Sequence, residues 1–173
     1  MKHGRNSFRG SFDVTCACLE PFLANGFLQA NTLVYRTSPG AFKIAGELAC
    51  LGGIVITVYK SLTVLSGHGV EAIIETDSYA YNGSIRGYGN FLRYDNAHPH
   101  PGHSDDHHRH EFDWKTGDEV AGSPKWVGVA GWPHLSEFIE EVQAWYWDHR
   151  SALPDPDSYP LVGLRSPFFE DED

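Results

Sequence analysis

Hydrophobic and polar residues alternate along the middle of the chain with a period of two, which is typical of β-strands. In residues 42–50, mainly apolar positions fall on one face, and a lysine and a glutamate fall on the other. This pattern predicts a half-buried strand. Gly52 and Gly53 then supply two φ-permissive residues for a tight hairpin turn. Residues 54–65, rich in Val, Ile, Thr and Tyr, predict a long return strand.

More strands are predicted on both sides of this hairpin. Residues 32–36 and 70–81 are rich in β-branched and aromatic side chains. Asn82-Gly83 is a strong signal for a second hairpin turn, with residues 84–86 starting the return. Residues 91–94 predict a strand that ends at Asp95-Asn96, and residues 108–112 alternate once more.

Toward the C-terminus the period changes to three and four, which predicts one amphipathic helix. Pro133 is suited to its first position, because the missing N–H of proline costs nothing there. The apolar stripe is expected to pack on the sheet, and it consists of Leu135, Phe138, Ile139, Val142 and either Trp145 or Tyr146. A shorter helix is predicted for residues 16–28, after a loop-like segment at residues 7–12.

These elements predict an α+β fold: a curved antiparallel sheet of five or six strands packed against one C-terminal helix. Residues 1–31 are interpreted as an N-terminal extension, residues 32–150 as a single α+β domain, and residues 151–173 as a Pro-rich acidic tail. The tail is expected to lie on the body of the protein or to be disordered, with Phe168-Phe169 as an anchor.

Composition supports one globular domain and limits the kinds of partner. The 173 residues are 41% hydrophobic, and the formal net charge is −10. Such a charge disfavours a protein that binds nucleic acid over its whole surface, since phosphate binding depends on Lys and Arg. Four of the negative charges lie in residues 170–173, so a local contact with nucleic acid is still compatible with the sequence.

Three cysteines are too few for a disulfide scaffold and favour a reducing cytoplasm. The N-terminus has positive charge but no continuous apolar region of a signal peptide. The longest apolar stretch is interrupted by Gly52-Gly53 and falls short of the about 20 residues that a membrane span needs. A cytoplasmic protein without a membrane partner is therefore expected.

The chemistry of the chain is concentrated in residues 93–113, which contain six of its ten histidines: His98, His100, His103, His107, His108 and His110. Histidine exchanges protons near neutral pH, and its neutral nitrogens bind transition metals. Because prolines and a glycine interrupt residues 98–106, this segment is expected to be an exposed loop. In the strand that follows, His108 and His110 share one face and Arg109 lies on the other.

Tyr94-Asp95-Asn96, a polar loop, His108-Arg109-His110 and a single amphipathic helix occur in this order along residues 42–150. This arrangement resembles the TumE-like toxins of prokaryotic toxin–antitoxin modules. The resemblance implies a small sheet backed by one helix, a growth-inhibiting activity, a helix-turn-helix antitoxin as partner and a nucleic-acid target. In this chain the loop between the two motifs is longer and richer in histidine.

The first functional hypothesis is a ribonuclease-like site that needs no metal. RNA cleavage by its own 2′-hydroxyl requires a base, an acid and a cation for the phosphate. We expect His108 and His110 to be base and acid, in either order. Arg93 would contact the phosphate, and Asp95 would orient a histidine ring or hold Asn96. As substrate-binding residues we expect Tyr94, which can stack on bases, and Asn96.

Three other interpretations stay open, and the first is that the histidine cluster is purely structural. A divalent metal ion could be bound by His108, His110 and Asp95, since two histidines and one carboxylate form a common metal site with open positions. Alternatively, the protein is a non-enzymatic interaction protein whose His-rich loop and acidic tail bind a partner, such as a basic antitoxin.

Overall fold

The protein has an α+β fold in which helices pack on a large antiparallel sheet. The computed structural model describes residues 3–97, 101–103 and 105–163. Within these ranges the sheet has nine strands: β1 (Asn6–Ser7), β2 (Leu28–Asn31), β3 (Val34–Ser38), β4 (Ala41–Cys50), β5 (Ile54–Ser66), β6 (Ile73–Ile85), β7 (Asn90–Asp95), β8 (His108–Glu111) and β9 (Lys125–Trp126). The helices are α1 (Phe8–Ala24), α2 (Gly128–Gly131) and α3 (Leu135–His149), together with single 3₁₀ turns at Gly69–Glu71 and Arg150–Ala152.

The main path of the sheet runs β2-β4-β5-β6-β7-β8-β9, while β1 pairs with β6 and β3 pairs with β4. The predicted α+β class, antiparallel sheet and C-terminal helix are confirmed. The number of strands was predicted too low, because β1 and β9 have two residues each, and two residues are too short to show a period. In addition, β2 and β3 occupy successive parts of one edge of β4, where the sequence predicted a single strand.

Helices α1 and α3 cover the same face of the sheet, which we call the helix face. Its core contains Leu19 and Phe22 of α1, and Phe138, Ile139 and Val142 of α3. The side chains of paired strand residues lie on the same side of a sheet. On the helix face, such cross-strand rows consist of large apolar side chains. One such row is Val58, Tyr81 and Tyr94. The opposite surface, here the second face, carries the row Tyr59, Ala80, Asp95 and His108.

The N-terminal helix begins earlier than the sequence predicted. The Ser7 side chain accepts a hydrogen bond from the Gly10 N–H at 3.0 Å, so Ser7 caps a helix that starts at Phe8 and continues through Pro21. The predictions of a loop at residues 7–12 and a helix to residue 28 were wrong, since Leu28 begins β2. Within residues 1–31, the side chains that join the main core are Leu19, Phe22, Phe27 and Leu28.

The predicted turn at Asn82-Gly83 was also wrong, because both residues lie inside β6. Gly83 serves close packing instead: a Cβ atom there would lie 2.8 Å from the Phe91 ring. The chain reverses after Ile85, where the Tyr88 N–H donates to the Ile85 carbonyl at 2.9 Å and Gly87 has φ of 81°. The Asn82-Gly83 dipeptide therefore does not form a turn here, and Gly83 instead allows the Phe91 ring to pack closely.

Helix α3 spans the predicted residues, although Pro133 precedes the N-cap residue His134 and does not occupy the first helical position. The chain after α3 follows the body of the protein. The Ser158 carbonyl accepts hydrogen bonds from the N–H groups of Gly52 and Gly53 at 2.9 and 3.1 Å, and Tyr159 bonds the Gly26 carbonyl. The predicted anchor Phe168-Phe169 and the acidic residues 170–173 lie outside the described residues. No helix in the described ranges is long and apolar enough to cross a membrane.

Candidate metal centre

The register between β7 and β8 assembles the site. Asp95 pairs with His108 and Arg93 pairs with His110. Cross-strand partners share a face, and so do residues two apart on one strand. All four side chains therefore lie together on the second face, away from α1 and α3.

Asp95 and His108 form the buried part of this site. Their side chains are 0% and 2% exposed, and Asp95 Oδ1 lies 3.2 Å from His108 Nε2. The other ring nitrogen, Nδ1, lies 2.7 Å from the Asp106 carbonyl oxygen. A carbonyl only accepts hydrogen bonds, so Nδ1 carries a proton, and the lone pair of Nε2 in a neutral ring would face a carboxylate oxygen. Two acceptors in contact repel, so either a second proton or a cation must join them.

His110 forms the accessible part of the site. Its side chain is 18% exposed, and its ring centroid lies 4.7 Å from that of His108. The Nδ1 atom bonds a carboxylate oxygen of Glu119, whose pKa this hydrogen bond lowers. A carboxylate accepts only, so Nδ1 carries the proton and Nε2 keeps the lone pair that a metal ion would need.

Arg93 completes the group with a positive charge. Its Nε lies 2.6 Å from Asp95 Oδ2, and its side chain is 35% exposed. The two atoms form an ion pair without a hydrogen bond, and both are buried with no hydrogen-bond partner among the described residues. Buried polar atoms are usually satisfied, so this pair is an exception that needs an explanation.

Asp95, His108 and His110 are suited to a shared metal ion. One ligand atom from each lies within 4.8 Å of the other two. Two ligand atoms that each lie about 2.1 Å from one ion are about 3.2 Å apart when they subtend an angle of about 100° at the ion. The separation of Asp95 Oδ1 and His108 Nε2 is 3.2 Å, so these two atoms need no rearrangement, and only the His110 ring must approach.

Tyr94, predicted to bind substrate, lies on the helix face, opposite the histidines. Its hydroxyl donates to Glu141 Oε2 of α3 at 3.0 Å. Arg109 lies on the same face, as expected, and bonds Glu141 Oε1 through Nε at 3.0 Å and Nη2 at 2.6 Å. Burial raises the pKa of Tyr94 to about 12, and the Glu141 carboxylate adds to this effect. The hydroxyl is therefore a structural donor to α3.

Asn96, the other residue predicted to bind substrate, connects two strands. Its Oδ1 accepts from the Tyr79 N–H at 2.8 Å, and its Nδ2 donates to the Asp77 carbonyl at 3.1 Å. Both ends of the amide are thus occupied at the start of the β6–β7 pair. The structure brings Arg93, Asp95, His108 and His110 together, and it leaves Tyr94 and Asn96 outside their contacts.

The described part of the His-rich loop is fixed to the segment around β9. The His103 ring stacks on Trp126 with centroids 3.6 Å apart. Asp105 accepts hydrogen bonds from the N–H groups of His107 and Val129 at 2.8 and 3.1 Å. His107 is buried beside Trp132, and this burial lowers its pKa. His98 and His100 lie outside the described residues.

Sequence reasoning did not identify three groups that support the histidines: Glu119, the Asp106 carbonyl and Trp126. The Asp106 carbonyl is a backbone atom two residues before His108 and has no side-chain signature. Trp126 belongs to a two-residue strand in a segment without a period, and it pairs with His108. Glu119 is nine residues from His110, and an isolated bridge between Phe112 and Glu119 brings it close.

Comparison with protein-family models, with curated proteins and with solved structures found no match to this chain. Function is therefore inferred from the geometry of the site.

Proposed function

We propose that Asp95, His108 and His110 bind a divalent transition-metal ion, and that this centre acts on a phosphodiester such as RNA. The observation that carries the proposal is the convergence of three ligand atoms within 4.8 Å of one another on one face of β7 and β8. The resemblance of the motifs to TumE-like toxins supports RNA as the substrate and growth inhibition as the outcome.

The donor set favours particular ions. Two imidazoles and one carboxylate provide nitrogen and oxygen ligands, which suit zinc, iron, manganese or nickel better than calcium or magnesium. A bound ion would supply a Lewis acid and would lower the pKa of a coordinated water to about 7. It would also join Asp95 Oδ1 to the lone pair of Nε2 in a neutral His108 ring.

Arg93 supports an anionic substrate. Its partly exposed guanidinium adjoins the three ligands, while its Nε is buried against Asp95 Oδ2 at 2.6 Å. The guanidinium group matches the geometry of a phosphate and stabilises the charge that develops on it during transfer. In this proposal Arg93 binds the phosphate while Asp95 and the histidines hold the ion.

The first test measures metal binding. Purified protein stripped of metal is titrated with Zn²⁺ in competition with a chromophoric chelator. We expect one ion per chain, and His108→Ala and His110→Ala should each weaken binding by more than about 100-fold, beyond the effect typical of residues around the ligands. His149→Ala, at the exposed end of α3, is the matched control and should bind like the wild type. Absence of Zn²⁺ binding by the wild type would refute the proposal.

The second test measures activity on labelled RNA with and without EDTA. Metal-dependent cleavage should disappear on chelation and return when Zn²⁺ or Mn²⁺ is added. Arg93→Gln should reduce cleavage while metal binding is retained, because its role is toward the substrate. Binding of metal without RNA cleavage would favour the non-enzymatic metal-binding alternative.

A second candidate, cleavage of RNA without metal, is supported by the two imidazoles themselves. Their ring centroids are 4.7 Å apart, and Arg93 is the cross-strand partner of His110. One ring would act as base and the other as acid. The burial of His108, which is 2% exposed, argues against direct proton exchange with a large substrate. Cleavage that persists in EDTA would favour this candidate.

Toxin activity is tested in cells. Induced expression of the wild type should arrest growth, and His110→Ala should not, at equal protein levels. Co-expression of a small helix-turn-helix protein from the neighbouring gene should restore growth if that protein is the antitoxin. Growth arrest by both histidine variants would favour the interaction hypothesis instead.

A further inference from the structure

Glu119 lies next to the proposed centre but is not one of its three ligands. It belongs to the segment between β8 and β9, and one of its carboxylate oxygens bonds Nδ1 of His110. We infer that Glu119 is a positioning residue that fixes the tautomer and orientation of the His110 ring for metal binding. This inference rests on the proposed metal site and assigns a role to a residue that does not contact the ion.

The chemical reason is the proton count of the imidazole ring. A neutral ring carries one proton, on either Nδ1 or Nε2. Glu119 offers only an acceptor to Nδ1, so the proton is held there and the lone pair is held on Nε2. A ring with the opposite tautomer would present an N–H to the ion and could not bind it. A carboxylate on the far nitrogen also raises the basicity of a metal-binding histidine.

The carboxylate is itself fixed in place, which a positioning role requires. Ser123 Oγ donates to Glu119 Oε1 at 3.0 Å and accepts from the Glu111 N–H at 3.0 Å. The backbone next to Glu119 is bound to β8 as well, because the Val120 N–H donates to the Glu111 carbonyl at 2.9 Å. These contacts attach the segment to the strand that carries both histidines.

The two histidines are held by acceptors of different charge. The Asp106 carbonyl, which is neutral, bonds His108 Nδ1 at 2.7 Å, and Glu119, which is anionic, bonds His110 Nδ1. The neutral acceptor serves the buried ring, which already faces the Asp95 carboxylate. The anionic acceptor bonds the more exposed ring, which also stacks on Phe112 with ring centroids 5.7 Å apart. Loss of Glu119 should therefore affect His110 more than His108.

The experiment compares Glu119→Ala and Glu119→Gln with Asp118→Ala. Glutamine keeps an acceptor for the Nδ1 proton, whereas alanine removes it. Asp118 is exposed and adjacent, so its removal deletes the same charge without removing the acceptor of His110. Zn²⁺ affinity is measured by chelator competition on the full chain. We expect Glu119→Ala to weaken binding about 10- to 100-fold, Glu119→Gln to recover most of this loss, and Asp118→Ala to leave affinity unchanged.

The tautomer is measured directly in the metal-free protein. Long-range ¹H–¹⁵N spectra of the histidine rings distinguish a protonated from an unprotonated nitrogen, and the His110 signals are those absent from His110→Asn. The wild type and Glu119→Gln should show Nδ1 protonated, and Glu119→Ala should show a mixture. A structural role of Glu119 in folding alone would not change this pattern.

The outcomes separate the two proposals. Unchanged tautomer and affinity in Glu119→Ala would overturn the positioning role, and so would an equal loss of affinity in Asp118→Ala. If the wild type binds no Zn²⁺, the proposed metal function fails, and the tautomer alone then decides whether Glu119 orients His110.

Discussion

Strands β7 and β8 carry two charged clusters back to back, one on each face of the sheet. On the helix face, Arg109 donates to Glu141, and Glu141 also accepts from the Tyr94 hydroxyl. On the second face, Arg93 Nε and Asp95 Oδ2 are buried without a hydrogen bond among the described residues. The same two strands therefore hold one cluster joined by hydrogen bonds and one whose buried ion pair makes no hydrogen bond.

We interpret the cluster on the helix face as stabilising the fold and the cluster on the second face as binding a ligand. The hydrogen-bonded arginine and carboxylate attach α3 to the sheet. Buried polar atoms without hydrogen bonds cost free energy, which a protein tolerates where a ligand or an ion compensates for the cost. We therefore expect substitutions in the two clusters to act on different measured quantities.

The largest effect is expected for Asp95→Asn on the second face. The amide is a poor ligand, so Zn²⁺ affinity should fall by more than about 100-fold, which is about 2.7 kcal/mol. The free energy of unfolding of the metal-free protein should change by less, about 1 kcal/mol, because the isosteric amide can still place its oxygen toward Arg93 and donate an N–H to Nε2 of a neutral His108 ring. Chelator competition and urea unfolding measure the two quantities. A large loss of stability with intact affinity would contradict the assignment.

Glu141→Ala on the helix face should have the opposite profile. Arg109 loses the acceptor of its Nε and Nη2 groups, and Tyr94 loses its own acceptor. We expect the free energy of unfolding to fall by about 2 kcal/mol, a value reduced for the partial exposure of the pair. Zn²⁺ affinity should not change. Weakened metal binding in this variant would show that the two faces are coupled.

Tyr94→Phe gives a smaller effect of the same kind. Removal of one hydroxyl that donates to a carboxylate should cost about 1 kcal/mol in urea unfolding. RNA cleavage should be unchanged, because the ring lies on the helix face. A loss of cleavage without a loss of stability would support the sequence-based expectation that Tyr94 binds substrate.

The smallest effect concerns Lys60, a charged residue of β5 outside both clusters. Burial lowers its pKa, so in the pH window between this lowered pKa and its ordinary value of 10.5 the unfolded state binds more protons. Stability should therefore rise with pH through this window and be lost as pH falls through it. Lys60→Met should flatten this rise and add about 0.5 kcal/mol at neutral pH. Urea unfolding at several pH values measures both, and a steeper rise in the variant would contradict the sign.

Much of the fold follows from local patterns. Strands β4 and β5 and helix α3 were predicted because their hydrophobic periods persist over ten or more residues. The start of α1 was missed because a side-chain cap at Ser7 decides it, and the turn at Asn82-Gly83 failed because the Phe91 ring packs against Gly83. At the first point a local side-chain cap sets the start of the helix, and at the second point the packing of a neighbouring strand overrides the local turn propensity.

The site was predictable only in part. Arg93, Asp95, His108 and His110 have the residue types and the period-two spacing that place them on one face once β7 and β8 pair in register. The same period places Tyr94 and Asp95 on opposite faces, so their assignment to one site conflicted with the strand itself. The position of Glu119 depends on how the chain between β8 and β9 folds back, and this segment shows no hydrophobic period. Its contact with His110 could therefore not be predicted from sequence spacing.

The Ser158 carbonyl accepts hydrogen bonds from the N–H groups of both Gly52 and Gly53. This contact implies an order in which parts of the fold form. Domains are synthesised from the N-terminus, and early segments begin to fold first. The β4–β5 hairpin can form while the chain is still on the ribosome, but the two amides of its turn find this acceptor only after more than a hundred further residues have been added. Closure of the hairpin end is thus a late event, and a chain without Ser158 would leave these two amides open to solvent.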